Sequence, residues 1–175
     1  NQEDGYIVSV VDRTNKNQEA KYWKDDFLKV KPLEDEYYTT NQYLDMVKNF
    51  AVEGHPADDK SERVDLLNRT VGYFKEKEHF DEEEFQELVL QAPETREAFD
   101  NYKSHYASTH EMDGFQDEFE ISSPAVKQAK RGIRSVIKLD KNFHLYVHGK
   151  RDLIERGYDS DKGLNYYKVF FENES

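Results

Sequence analysis

The chain has 175 residues, a net charge of −12 at neutral pH and no cysteine. These figures exclude disulfides, thiolate metal sites and cysteine nucleophiles, and no apolar run approaches the ~20 residues that span a bilayer. We therefore expect a soluble, cytoplasmic protein without a membrane partner, whose core depends on its 12 Tyr and 11 Phe side chains.

The chain opens with strand-like residues. The β-branched run from Gly5 to Asp12 predicts a short strand, and the polar stretch 13–18 has the composition of a turn. Apolar residues between Tyr22 and Leu28 are spaced for a turn and a half of helix. Because the chain lacks an initial methionine and soon enters a strand, we expect residues 1–33 to continue from a missing N-terminal half.

Four amphipathic helices are predicted next. The first begins at Thr39, where Thr39 to Gln42 match a capping box, and the second covers residues 61–77. Asp81 caps the third, and Pro93 opens the fourth at a first-turn position. Their predicted inward faces are Tyr43, Met46, Val47, Phe50 and Ala51; Val64, Leu67, Val71 and Phe74; Phe85, Leu88 and Val89; and Ala98, Phe99, Tyr102 and Tyr106.

The last part of the chain changes to strand-like alternation. Residues 112–118 resemble a linker, and Ser123 with Pro124 predicts the start of a short basic helix. The segments SVIKLD, FHLYVHG and YYKVFF predict strands, the first two joined by a turn at 140–142. Residues 153–156 suggest a helical turn ended by Gly157, and DSDKG suggests a polar hairpin loop.

These elements predict an α+β fold. An acidic helical subdomain of about four helices, residues 34–112, precedes a small basic antiparallel β-sheet subdomain, residues 113–175. The N-terminal strand is a candidate to join that sheet.

Charge divides the chain unevenly. Residues 1–123 carry 14 Lys and Arg against 30 Asp and Glu, whereas residues 124–156 carry nine against three. Such asymmetry indicates a local polyanion-binding surface, a contact between the oppositely charged parts, or both. In FHLYVHG, alternation places Phe143, Leu145 and Val147 on one face and His144, Tyr146 and His148 on the other. The candidate nucleic-acid-binding residues are Lys127, Lys130, Arg131, Arg134, Lys138, His144, Tyr146, His148, Lys150 and Arg151.

Other site chemistries find little support. His144 and His148 are separated by about 13 Å of strand and cannot easily share one ion. DSDKG places its glycine at the fifth position of the loop, which does not fit a calcium-binding EF-hand. No nucleophile elbow, phosphate-binding glycine loop or zinc-protease motif occurs. We therefore expect no catalytic residues, no metal, no cofactor and no enzymatic activity.

Several segments, in this order, resemble one family. The C-terminal run SVIKLDKNFHLYVHG, followed by Arg151, Leu153, Ile154, Gly157 and YYKVFFE, is similar to the C-terminus of NdpA-like bacterial nucleoid-associated proteins. Upstream, GYIVSVVD, YWKDDFL, EYYTT, DLLNR and YFKEKEHFDEEEF follow the order of that family. The resemblance implies a DNA-associated protein of the nucleoid, of which this chain would be the C-terminal half, and it implies no catalytic or metal-binding residues.

Three hypotheses for the basic segment remain open. The first is sequence-tolerant contact with double-stranded DNA. The second is an ordinary solvated surface whose cations pair with the chain's own acids. The third is a protein-interaction or self-assembly module, in which the acidic helices of one copy dock on the basic hairpin of another or the aromatic segment packs on the N-terminal half.

Overall fold

The computed structural model describes residues 8, 27–30, 33–57, 59–110, 112–133, 136–147 and 153–173. The predicted strand Gly5–Asp12 and most of the segment Tyr22–Leu28 lie outside these residues. The described elements confirm the α+β class, with helices followed by C-terminal strands.

The helical part contains α1 (Glu36–Asn49), extended by a π-helical turn (Phe50–Gly54), α2 (Lys60–Glu76), α3 (Glu82–Phe85), extended by a second π-helical turn (Gln86–Leu90), and α4 (Pro93–Thr109). Two three-residue strands, β1 (His79–Asp81) and β2 (Glu118–Glu120), pair antiparallel across it. The basic helix α5 (Ser123–Gly132) precedes β3 (Val136–Leu139), β4 (Phe143–Tyr146), β5 (Ile154–Asp159) and β6 (Leu164–Val169).

Helix starts follow the capping side chains. Asp81 accepts a hydrogen bond from the Glu84 amide at 2.8 Å, as predicted, and Pro93 occupies the first turn of α4. The predicted start of α1 at Thr39 is wrong, because Asp35 accepts a hydrogen bond from the Tyr38 amide at 2.8 Å and the helix begins at Glu36. The carboxylate of Asp35 satisfies an orphan amide and complements the helix dipole, so it sets the boundary.

The core of the helical part is a cluster of aromatic rings. Its fully buried members include Tyr43, Phe50, Phe74, Phe80, Phe85 and Phe99. Pairing of β1 with β2 places Phe80 opposite Phe119, and their rings stack with centroids 4.6 Å apart. Val126 of α5 belongs to the same buried cluster, which joins the basic helix to the aromatic core.

Two predicted inward faces need correction. On α2, Leu66, Thr70 and Tyr73 are buried with Val64 and Phe74, Leu67 packs against the core with part of its surface exposed, and Val71 is only partly covered. This helix contacts α1, α5, β3 and both π-helical turns, so its buried surface is wider than one stripe.

Leu88 is 52% exposed, although it was predicted to face inward, whereas Val89 and Leu90 are buried. The second π-helical turn adds a residue to the helical repeat and so shifts which side chains face the core.

The C-terminal strands form two separate hairpins. The turn at 140–142 joins β3 to β4 and the loop at 160–163 joins β5 to β6, both as predicted. Residues 154–156 are strand and not the predicted helical turn, because Arg156 pairs with Tyr167 in the second hairpin. Pairing with a distant segment overrides weak local propensity.

A second, smaller apolar cluster secures these hairpins. Ile137 of β3 is fully buried with Val64 of α2 and Val147, and Ile154 and Tyr167 pack against them. Phe143, predicted on the same face as Leu145 and Val147, is 65% exposed at the tip of the hairpin and does not belong to this cluster.

Tyr43 carries an unsatisfied polar group in the aromatic core. Its hydroxyl has no hydrogen-bond partner among the described residues, and burial raises its pKa well above the ordinary value. We expect Tyr43→Phe to raise the free energy of unfolding by about 1 kcal/mol, because the hydroxyl loses its hydration without gaining a partner. Thermal and urea unfolding followed by circular dichroism measures the change.

Tyr73 provides the matched control for this prediction. Its hydroxyl donates to the Glu84 carboxylate at 3.0 Å and accepts from the Asp81 amide at 3.2 Å. Tyr73→Phe should therefore lower the free energy of unfolding by about 1 kcal/mol. Equal losses in the two variants would contradict the prediction for Tyr43.

Candidate nucleic-acid interface

The basic helix α5 separates its apolar and cationic residues onto opposite sides. Ala125 and Val126 are buried, whereas Lys127, Lys130 and Arg131 are exposed. Lys130 and Arg131 lie in the last turn, where positive charge complements the negative end of the helix dipole. The sequence SPAVKQAKRG thus attaches the helix to the core by one side and presents cations on the other.

A groove of about 640 Å³ lies between α2, α5 and the β3–β4 hairpin. The three elements supply its walls with residues that are distant in sequence. The lining residues are Asn68, Val71, Gly72 and Lys75 of α2, Lys130 and Ile133 at the end of α5, and Val136, Lys138, His144 and Tyr146 of the hairpin.

Strand register fixes which hairpin side chains face this groove. Lys138 is paired with His144, and Val136 is paired with Tyr146, so these four side chains share one face of the hairpin. The intervening Ile137 points the other way and is fully buried. The hairpin is therefore held by its apolar face, while its polar face lines the groove.

A hydrogen bond connects α2 to the end of the β3–β4 hairpin. The Asn68 side-chain amide of α2 donates to the carbonyl oxygen of Val147 at 3.2 Å, immediately after β4. Together with the buried contact of Val64 and Ile137, this bond fixes the hairpin against α2. One polar and one apolar contact on the same side of α2 thus hold the hairpin wall of the groove in place.

Lys75 is a groove residue that the sequence did not reveal. It lies near the end of α2, within a part of the chain whose overall charge is strongly negative. Its spacing of three, four and seven residues from Gly72, Val71 and Asn68 places all four on one side of the helix. That periodicity is visible in the sequence, but the facing hairpin is not.

The cations of this surface are not neutralised within the described part of the chain. Lys75, Lys127, Lys130, Arg131 and Lys138 form no ion pair among residues whose positions are described. No described lining residue of the groove is an aspartate or glutamate. Pairing with the acidic residues of the described ranges therefore does not account for these cations.

The structure brings together four of the predicted interface residues. Lys130, Lys138, His144 and Tyr146 line the groove, whereas Lys127 and Arg131 lie outside it on the exposed side of α5. The remaining predicted residues fall outside the described ranges; they are Arg134, His148, Lys150 and Arg151.

A separate surface, around α3 and the start of β2, is acidic. It surrounds Lys103, whose ammonium contacts the Glu82 carboxylate at 2.5 Å. Burial raises the pKa of Glu82, and the hydrogen bond from Lys103 offsets part of that rise. The acidic members of this surface are Asp81, Glu82, Glu83, Asp100, Asp117 and Glu118.

The described ranges hold neither a metal-binding cluster nor a membrane-spanning helix. They contain no cluster of three or more His, Asp or Glu side chains arranged to hold a metal ion. None of their helices combines the length and the apolar character needed to cross a membrane.

One protein family matches nearly the whole chain. The family profile described as "NA37: Nucleoid-associated protein YejK" matches residues 1–164. No curated protein and no solved structure matches the chain. The family match covers nearly the full sequence and agrees with the resemblance seen in its ordered segments. The chain therefore belongs to the NA37 family of nucleoid-associated proteins.

Proposed function

We propose that the groove between α2, α5 and the β3–β4 hairpin binds the backbone of double-stranded DNA, and that the protein is a non-enzymatic DNA-binding component of the bacterial nucleoid. One observation carries this proposal. Lys75, Lys130 and Lys138 come from three separate elements, meet at one groove and have no acidic partner among the described residues. Membership of a nucleoid-associated family supports DNA as the polyanion.

The chemistry of the groove favours phosphate over base edges. Lysine ammonium groups act as point charges, and contacts of this kind position a duplex without reading its sequence. Lys127 and Arg131 on the adjacent side of α5 extend the positive surface beyond the groove. We therefore expect contact with the DNA backbone and little preference among sequences.

The acidic remainder limits how DNA approaches. Residues 1–123 hold 30 acidic against 14 basic side chains, and charges within a Debye length of about 10 Å at 0.1 M salt act on one another. A duplex laid across the whole molecule would be repelled. Contact at the basic edge alone keeps the phosphates near Lys75, Lys130 and Lys138.

A salt series tests the proposal. If four to six phosphates are engaged, log affinity falls against log salt concentration with a slope of roughly −4 to −5, because bound cations release counterions from the duplex. Fluorescence anisotropy with a short labelled duplex measures this slope, and a second duplex of unrelated sequence should give the same affinity. A DNA affinity that does not change with salt concentration would contradict the proposal.

Self-assembly is the second candidate function. The basic groove and the acidic surface around Lys103 lie on one chain, so the groove of one copy is complementary in charge to the acidic surface of another. Light scattering across the same salt series separates the candidates. A dimer that dissociates as salt rises, together with absent DNA binding, would favour assembly.

A further inference from the structure

The groove contains an aromatic side chain that is largely exposed. Tyr146 is 66% exposed and belongs to neither buried apolar cluster. Within the described ranges its ring pairs with no other aromatic ring. His144 and Lys138 lie on the same face of the hairpin as Tyr146. Lys75 of α2 and Lys130 of α5 line the groove opposite them.

This combination is typical of single-strand binding. Proteins that bind single-stranded nucleic acid place cations along the backbone and aromatic rings against the bases. Lys138 is diagonal to Tyr146 across the strand pair, at a backbone separation of about 7–8 Å. A base on the ring and a phosphate at the ammonium can therefore belong to one short stretch of strand.

The wall of the groove also leaves room for a base. Gly72 lies within α2, where glycine is less stable than alanine, and a Cβ atom added there would meet nothing within 4 Å. Packing therefore does not require a glycine at this position. Its absent side chain leaves open space on the α2 side of the groove.

We infer that the groove binds single-stranded DNA, with the lysines at the phosphates and Tyr146 stacked on a base. This inference rests on the proposed function, because the same lysines hold the backbone. A duplex keeps its bases stacked inside, so it engages the lysines and leaves Tyr146 unused. The two forms of DNA thus differ in their dependence on one side chain.

The test compares a labelled single strand with a duplex of the same length by fluorescence anisotropy. Tyr146→Ala should weaken single-strand binding by about 5- to 150-fold, the effect of losing one stacked base, and should weaken duplex binding by a clearly smaller factor. Tyr146→Phe retains the stacking ring and should bind both forms as the parent does. Equal weakening of both forms, or of neither, would overturn the inference.

Gly72→Leu provides a second variant that alters no charge. Leucine favours the helix more than glycine and projects into the space beside α2. We expect this variant to unfold at no lower temperature than the parent and to bind the single strand at least about tenfold more weakly. Unchanged single-strand affinity would contradict occupation of the groove.

The outcomes distinguish the inference from the function on which it rests. If neutral substitutions of Lys75, Lys130 and Lys138 weaken both forms of DNA while Tyr146→Ala weakens neither, the backbone contact stands and base stacking fails. If the lysine substitutions leave both affinities unchanged, the proposed function fails and the inference fails with it.

Discussion

Replacing Lys75, Lys130 and Lys138 together by glutamate should reduce affinity for duplex DNA by about 500-fold or more at 0.1 M salt. Each phosphate contact contributes about 0.9 log unit through counterion release at that salt, so three contacts give nearly three log units before the repulsion from the new carboxylates is counted. Fluorescence anisotropy measures the affinity. Each lysine changed singly to glutamine should also make the salt slope shallower by about one.

The fold should survive these changes. All three lysines are exposed, and surface substitutions away from packed or hydrogen-bonded groups usually alter stability by less than about 0.5 kcal/mol. The matched control reverses three exposed lysines outside the groove that form no ion pair among the described residues, Lys29, Lys60 and Lys141, and so gives the same net charge. A similar loss of affinity in both triple variants would mean that overall charge, and not the groove, governs binding.

Phe85→Ala should lower the free energy of unfolding by about 4 kcal/mol. Phe85 is fully buried, and its ring lies 5.4 Å from Tyr73, 5.5 Å from Phe80 and 5.7 Å from Tyr43, measured between centroids. Truncation removes apolar contacts and leaves a cavity. The neighbouring rings cannot move into this cavity without breaking their contacts with one another. Urea unfolding followed by circular dichroism measures the difference.

Leu88→Ala is the control for that prediction. Leu88 lies one helical turn beyond Phe85 but is 52% exposed, so its truncation should cost less than about 1 kcal/mol. A loss at Leu88 as large as that at Phe85 would show that the π-helical turn does not set the buried face as described.

Local signals predicted the helices and the hairpin turns, because these depend on neighbouring residues. Asp81, Pro93 and Ser123 mark helix starts by capping or first-turn chemistry, and the turn at 140–142 follows from its polar residues. The short strand pair at Phe80 and Phe119 could not be predicted. Three residues give too little alternation, and their pairing joins segments nearly forty residues apart.

The candidate site was predictable only in part, for a similar reason. Charge and alternation identified Lys130, Lys138 and Tyr146, since these lie within the basic segment. Lys75 lies among acidic neighbours and becomes part of the same surface only through the packing of α2 against the hairpin. Charge averaged along a sequence cannot reveal a surface that tertiary contacts assemble.

The groove exists only while α2, α5 and the β3–β4 hairpin are packed together. In the unfolded chain its three lysines are independent charges with no shared site. A ligand that binds only the assembled groove therefore stabilises the folded state, by about 2.7 kcal/mol at a free concentration one hundred times its Kd. Occupancy and folding are linked equilibria, so DNA in the groove would protect the protein against unfolding and against the proteolysis that follows it.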